Sequence, residues 1–442
     1  MSLQGVCITL GVSVSTQLTP AGIIRRMTTP QLYWLVAIGL VVLGVLTGAT
    51  AVGEVRGRVA TIGEIGGVSG PISVDAQTLY RALADADATA ATAFLTTDGE
   101  SAELRTRYLD DIAKATSALT VALRGADDED AGQLRVVADQ LPVYTGLVET
   151  ARANQRLGVP LGGAYLREAS GLMQQTILPA AATVFDRTNR LLSVEHRAAG
   201  GFPWPAALSV LLAGVALVMA QVLVSRRSRR TFNRGLVAAS LVTVLALLWS
   251  GVALGVSGRH LGTGERDGVN LVRLLANAGR ASLQARANES LTLVARGGGA
   301  EFEKKFAGQL DELIGKDGRG GLFARAIELA PFTDRRVIDD ARDEAVAWRG
   351  LHEQVRAADD GGDWNKAVEL ATQTGFSGLP AIFGRLDKAL SDALALGNSR
   401  VERQAELAGA TLTGLTAGLV LLTAGLVAGV VLGFRPRIGE YR

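Results

Sequence analysis

Cysteine is almost absent from this chain: Cys7 is the only one in 442 residues. That excludes an intramolecular disulfide framework and any zinc or iron–sulfur site built on cysteines. The three histidines, His196, His260 and His352, lie far apart in sequence and read as surface or packing residues rather than ligands. Beta-rich stretches are missing too. No nucleophile–base motif, metal-ligand cluster or phosphate loop is present. The run Gly297-Gly298-Gly299 lacks both the preceding strand and the following lysine that a phosphate loop needs. Carboxylates are plentiful, but nothing in the sequence pairs them in a pocket. The expectation is a protein that is not an enzyme and carries no cofactor.

Charge is missing from four long stretches. Leu32–Gly53, Ala206–Val224, Gly235–Val256 and Ala410–Phe434 hold no Asp, Glu, Lys, Arg or His. Apolar runs of about 20 residues are long enough to cross a bilayer core as helices. A charge at mid-bilayer costs about 2.5–3.5 kcal/mol on insertion scales and usually marks a transport or proton path, so its absence argues against a pump. The chain is 48% hydrophobic, with a mean hydropathy of +0.24, yet 20% charged. Those values fit a membrane protein with sizeable water-soluble parts. The net charge of +2 says little, because the basic residues that matter are local, and no nucleic acid is expected as a partner.

Those basic residues set the topology. Between the second and third runs lies Ser225–Arg234, with Arg226, Arg227, Arg229, Arg230 and Arg234 and no acidic residue. Arg25 and Arg26 precede the first run, and Arg435, Arg437 and Arg442 follow the fourth. Arginine-rich short connections stay in the cytoplasm. The predicted order is a cytoplasmic N-terminus (1–31), membrane helix (32–53), outside segment (54–203), membrane helix (204–224) and cytoplasmic hairpin (225–234). A membrane helix (235–256), a second outside segment (257–408), a membrane helix (409–434) and a cytoplasmic tail (435–442) complete it. Both termini are then inside a plasma membrane crossed four times. Ala49-Thr50-Ala51 resembles a signal-peptidase site, so cleavage competes with retention of the first run. Met27 competes with Met1 as the start.

The two outside segments look alike. Tyr144-Thr145-Gly146-Leu147-Val148-Glu149-Thr150-Ala151-Arg152 corresponds to Trp348-Arg349-Gly350-Leu351-His352-Glu353-Gln354-Val355-Arg356, and Leu178-Pro179-Ala180 to Leu379-Pro380-Ala381. A unit of membrane helix, outside domain and membrane helix therefore occurs twice. Each outside domain reads as helical. Leu79, Leu83, Ala86, Ala90 and Phe94 share a face at helical spacing, which leaves Arg81, Asp85 and Asp87 to the surface. Glycine-rich breaks divide each copy into four helices. The fold class expected is an all-α integral membrane protein, with four transmembrane helices and two extracytoplasmic up-down four-helix bundles in tandem.

This topology puts alternate turns at the far end of each bundle. The loops there contain Asp98, Glu100, Arg156, Arg296, Asp360, Asp363 and Trp364, which are candidate contacts for a partner arriving from outside. The hairpin and tail arginines, Arg226, Arg227, Arg229, Arg230, Arg234, Arg435, Arg437 and Arg442, are the candidate contacts inside, for a protein or for anionic lipid. The acidic run Asp127-Asp128-Glu129-Asp130 reads as a solvated turn. Glycines four apart (Gly44/Gly48, Gly251/Gly255, Gly414/Gly418, Gly425/Gly429) predict close helix packing in the membrane. Of the four junctions between outside domain and membrane run, only 398–415 has no proline and few glycines, so one continuous rod is expected there.

Several stretches also look familiar: Pro30-Gln31-Leu32-Tyr33-Trp34, Asp85-Ala86-Asp87-Ala88-Thr89-Ala90, Arg229-Arg230-Thr231-Phe232-Asn233-Arg234, Asn288-Glu289-Ser290-Leu291-Thr292-Leu293-Val294-Ala295-Arg296 and the terminal Arg435–Arg442 segment. Together they resemble the actinobacterial GlnX-type transmembrane signalling proteins, from about residue 27 to the end. The resemblance implies tandem chemoreceptor-like sensor bundles. It also implies that an extracytoplasmic aspartate/glutamate-binding lipoprotein is sensed outside, with a cytoplasmic PknG-type serine/threonine kinase controlling nitrogen metabolism as the output. Two other readings stay open: a membrane subunit of a transport or export complex driven by a partner ATPase, and an envelope scaffold. The oligomeric state is open as well.

Overall fold

A computed structural model describes residues 29–64, 70–95, 101–201, 203–228, 234–263, 268–373 and 375–439. Among them the secondary structure is helical throughout, with no strand. In chain order the helices are α1 (Thr29–Glu64), α2 (Gly70–Leu95), α3 (Ala102–Gly125), α4 (Asp128–Arg156), α5 (Leu161–Leu172), α6 (Leu178–Gly200), α7 (Trp204–Ser228) and α8 (Arg234–Thr263). Then follow α9 (Asn270–Val294), α10 (Ala300–Ile314), α11 (Gly321–Leu329), α12 (Arg335–Asp360), α13 (Trp364–Thr372), α14 (Leu379–Leu412) and α15 (Leu415–Gly439). A π-helical turn, Met173–Ile177, joins α5 to α6. The chain divides into two units. One holds residues 1–56, 203–252 and 414–442, and the other holds 57–202 and 253–413.

The first unit is the membrane part. Its four helical stretches are long and apolar enough to cross a bilayer. Apolar side chains such as Leu211, Met219, Leu241 and Leu421 are exposed around it, as a lipid-facing surface requires. Its core is built from Tyr33, Leu40, Leu217, Val224, Leu236, Leu426, Val430 and Phe434. The Tyr33 and Phe434 rings lie 6.2 Å apart. Two polar contacts join its helices: Gln221 Nε2 donates to Ser240 Oγ at 2.9 Å, and Thr47 Oγ1 donates to the Ser209 carbonyl at 3.2 Å.

Glycine spacing was a partial guide to this packing. Gly44 and Gly48 face Leu426 and Thr423, Gly418 faces Trp249, and Gly429 faces Gly235 and Ala239. Gly251 and Gly255 face open space instead, so that pair does not pack helices within the chain. Gly235, which no spacing singled out, makes the closest approach: a Cβ there would overlap the backbone of Gly429 and Gly433. Gly235→Val is therefore expected to destabilise the detergent-solubilised protein by about 1–3 kcal/mol, as overpacking does, while Gly251→Val leaves thermal unfolding unchanged.

The second unit holds two helical bundles. The first is α2, α3, α4 and the continuous α5–π–α6 helix. In the second, α9 and α12 hold the places of α2 and α4, and α10 with α11 stands where α3 does. There α13 with α14 stands for α5–α6. The extra breaks, at 330–334 and 373–378, were not expected. Pro331 cannot donate a helical hydrogen bond, and Gly375 has φ +132°, so each ends a helix locally. The acidic run is a helix start rather than a plain turn. Asp127 caps α4 by accepting from the Glu129 and Asp130 amides, and Arg187 pairs with Asp127 at 2.6 Å. The carboxylates of the first turn also favour the helix dipole.

The continuous rod expected over 398–415 is absent. α14 ends at Leu412, and Gly414 takes φ +78°, a left-handed conformation that favours glycine. Conversely, α1 and α8 run unbroken to Glu64 and Thr263. α6 ends at Gly200, and α7 begins at Trp204.

Candidate functional site

α2 and α9, the leading helices of the two bundles, pack against each other. On α2, Leu83, Ala84, Ala86, Ala88, Ala90 and Ala91 are all buried. A helix buried on every side belongs at the centre of its unit, and alanine lets its neighbours come close. The surface position assigned to Asp85 and Asp87 is therefore corrected. Asp87 is 1% exposed, and Asp85 lies in the seam between the bundles.

Charged and polar contacts cross that seam. Asp85 accepts two hydrogen bonds from Arg107 of α3, at 2.9 and 3.1 Å, and lies 4.0 Å from Arg286 of α9. Burial opposes the Asp85 charge, but the Arg107 and Arg286 guanidiniums outweigh it and hold the carboxyl below its usual range. The neighbouring Asp111 is pushed up to about 7, by burial and then by the Asp85 charge. Arg81 of α2 pairs with Asp387 of α14, and Arg280 of α9 lies 3.4 Å from Asp186 of α6. The Thr92 and Ser290 hydroxyls are 3.3 Å apart, and Gln284 Nε2 donates to Tyr80 Oη at 2.7 Å. The more exposed of these pairs, such as Arg280–Asp186, contribute about 0–1 kcal/mol each and set register more than stability.

Each bundle also buries one carboxylate on its leading helix, hydrogen-bonded to an aromatic residue on its third helix. In the first, Ser170 Oγ donates to Asp87 at 2.7 Å and Tyr144 Oη at 3.4 Å. Burial pushes Asp87 up to about 6, partly offset by these hydroxyls. In the second, Trp348 Nε1 donates to both Glu289 oxygens at 3.1 Å, and His352 Nδ1 meets Glu289 at 2.8 Å. His352 Nε2 meets Glu303 at 3.1 Å, and the Phe306 ring stacks on the imidazole at 3.8 Å. Burial opposes protonation of His352, but the two glutamates raise it to about 9, so it is an imidazolium at neutral pH. His352 is thus a buried ionic hub rather than an ordinary packing residue.

Tyr144 and Trp348 are the residues that the internal repeat aligns, so the duplication extends to the chemistry of the core. The signal was present in sequence, since Asp87 and Glu289 lie at matching places in the two copies. Reading α2 as amphipathic hid it.

At the end of the bundles where α2 and α9 finish, several loops meet. Gln155 Nε2 donates to the Phe94 carbonyl at 2.7 Å, and Trp364 Nε1 donates to the Leu293 carbonyl at 2.9 Å. The Arg296 guanidinium sits 4.1 Å over the Trp364 ring, and Gly163 packs on Val294. Among the predicted outer contacts, Arg296 and Trp364 therefore stand together. Asp363 caps α13 through the Lys366 amide, Asp360 pairs with Arg356, and Arg156 is exposed. Asp98 and Glu100 lie outside the described residues. Of the predicted inner contacts, Arg226, Arg234 and Arg435 are exposed. Arg227 and Arg437 lie in α7 and α15 with side chains outside the described set, as do Arg229, Arg230 and Arg442 altogether.

No curated protein and no solved structure matches the chain. A family model does: residues 61–197, the first bundle with the segments beside it, match the actinobacterial sensor domain.

Proposed function

We propose that the chain is a non-enzymatic transmembrane relay that reports external aspartate or glutamate to a cytoplasmic serine/threonine kinase. The signal enters through an extracytoplasmic amino-acid-binding lipoprotein. The observation that carries this reading is the polar seam between α2 and α9. The two sensor bundles share one apolar core there, crossed by ion pairs and hydroxyl contacts, so that a shift of one bundle is felt by the other. The likeness of the sequence to GlnX-type proteins supports the choice of stimulus and kinase.

The orientation follows the arginines, with 225–234 and 435–442 inside and both bundles outside. The loops around Arg296 and Trp364, with Arg156, Asp360 and Asp363 beside them, would receive the lipoprotein. Arg226, Arg234 and Arg435 would face the kinase and the anionic headgroups of the inner leaflet. So small a cytoplasmic surface favours a transient association.

The test is to add aspartate to wild-type cells and to cells lacking the protein, and to follow phosphorylation of the kinase's substrate. The relay predicts a response only where the protein is present. An identical response in both strains contradicts it. Altered solute flux with unchanged phosphorylation would favour the transport reading instead.

A further inference from the structure

A groove of about 330 Å³ opens between the two bundles. That is at the lower end of the roughly 300–1,000 Å³ range of small-molecule pockets. Its polar lining comes from both copies: Tyr80 of α2 and Gln174 of the π turn on one side, Asn277, Arg280 and Gln284 of α9 and Glu312 of α10 on the other.

The hydrogen bonds already made show which groups are spare. Tyr80 Oη accepts from Gln284, and burial pushes its phenol up to about 12, so it keeps its proton and can donate it. Gln284 is spent, since its Oε1 accepts from Gln309 at 3.1 Å. Arg280 uses Nη2 for Asn277 and Asp186, which leaves Nη1 and Nε uncommitted. Gln174 Nε2 is enclosed and approaches Asp87 without reaching hydrogen-bond geometry. Glu312 is exposed at the rim and has no ion pair among the described residues. Among the described residues the groove therefore offers the Arg280 guanidinium and the Tyr80 hydroxyl as donors, and the unpaired Glu312 carboxylate.

We propose that this groove binds a small zwitterion of amino-acid size. Its carboxylate is held by Arg280 and the Tyr80 hydroxyl, and its ammonium faces Glu312. With Nη2 engaged, Arg280 offers a single charge-assisted hydrogen bond from Nη1 or Nε, stronger than a neutral one. A simple anion would be repelled by Glu312, and an uncharged polyol would leave the Glu312 charge uncompensated. Gln174 ties the groove to signalling. It sits on a π turn, a local irregularity that recurs at functional sites, and its amide neighbours the Asp87–Tyr144–Ser170 cluster. A ligand seated against the Gln174 side chain thus neighbours the buried carboxylate of the first bundle. The inference rests on the reading of the second unit as a sensor, and it places a ligand site on this chain itself.

The test is calorimetric titration of the full-length protein in nanodiscs with glycine, L-aspartate, L-glutamate and L-glutamine. Acetate and ethanolamine serve as the two half-ligands. At least one amino acid should bind saturably where neither half-ligand does. Glu312→Gln, at an exposed position, and Tyr80→Phe, which keeps the ring, should each weaken that binding by roughly tenfold or more while helicity is retained. No binding from the panel up to millimolar concentration, or equal binding by both variants, overturns the proposal. In cells, a response to external aspartate that survives in both variants but is lost on deletion rejects the groove and leaves the relay standing. A response that survives deletion rejects the relay.

Discussion

His352→Leu should destabilise the bundle unit by about 3–5 kcal/mol at pH 7, the range found when one partner of a buried ion pair is removed. The leucine fills the space beside Phe306 but leaves Glu289 and Glu303 without the cation between them. The wild type carries the matching pH dependence. The folded state raises His352 from 6.5 to about 9. At about 1.4 kcal/mol per unit, that stabilises the protein by roughly 3 kcal/mol. Because the shift is upward, the stabilisation is complete below pH 6.5 and lost as pH rises through about 9. Thermal unfolding of both proteins at pH 6 and pH 10 checks this. The gap between wild type and variant should shrink markedly at the higher pH, and an equal gap at both would place the stabilisation elsewhere.

Trp348→Ala should cost a similar amount, about 3–5 kcal/mol, for a different reason. The indole is 1% exposed, packs edge-on against Phe306 and Phe383 at 5.4 and 5.5 Å, and donates to Glu289. Removing it leaves a cavity and takes a donor from a buried carboxylate. The corresponding change in the first bundle can be made more gently. Tyr144→Phe keeps the ring and deletes only a hydroxyl whose contact with Asp87 is long, at 3.4 Å, so about 1 kcal/mol or less is expected. Chemical denaturation of the two variants measures the contrast. Comparable losses would mean that the two buried carboxylates are not held in the way described.

The sequence displayed the membrane part plainly, because charge-free runs flanked by arginine need no tertiary information to be recognised. It also displayed the duplication, through Tyr144 and Trp348 and through the two Leu-Pro-Ala turns. What it concealed was the middle of the molecule. An alanine-rich helix carrying Asp85 and Asp87 looks half-exposed, since local periodicity cannot tell water from a second bundle. The partners that settle the matter, Arg286 for Asp85 and Asp387 for Arg81, lie about 200 and 300 residues away in the chain. Glu289 and His352 were hidden in the same way, by a contact across 63 residues. The breaks at 330–334 and 373–378 were overlooked because the first copy lacks them. The end of α14 at Leu412 was overlooked because a lone glycine such as Gly414 is tolerated in many helices.

Everything proposed here depends on both bundles standing outside the membrane with the arginine-rich connection inside. Single cysteines at Thr116, Lys388 and Ser228, introduced one at a time into a Cys7→Ser background, test this with a membrane-impermeant maleimide on intact cells. Thr116 and Lys388 are exposed on the first and second bundles, and Ser228 ends α7. Thr116→Cys and Lys388→Cys should label at once and Ser228→Cys only after permeabilisation. Labelling of Ser228→Cys in intact cells, or protection of either bundle position, would contradict the account.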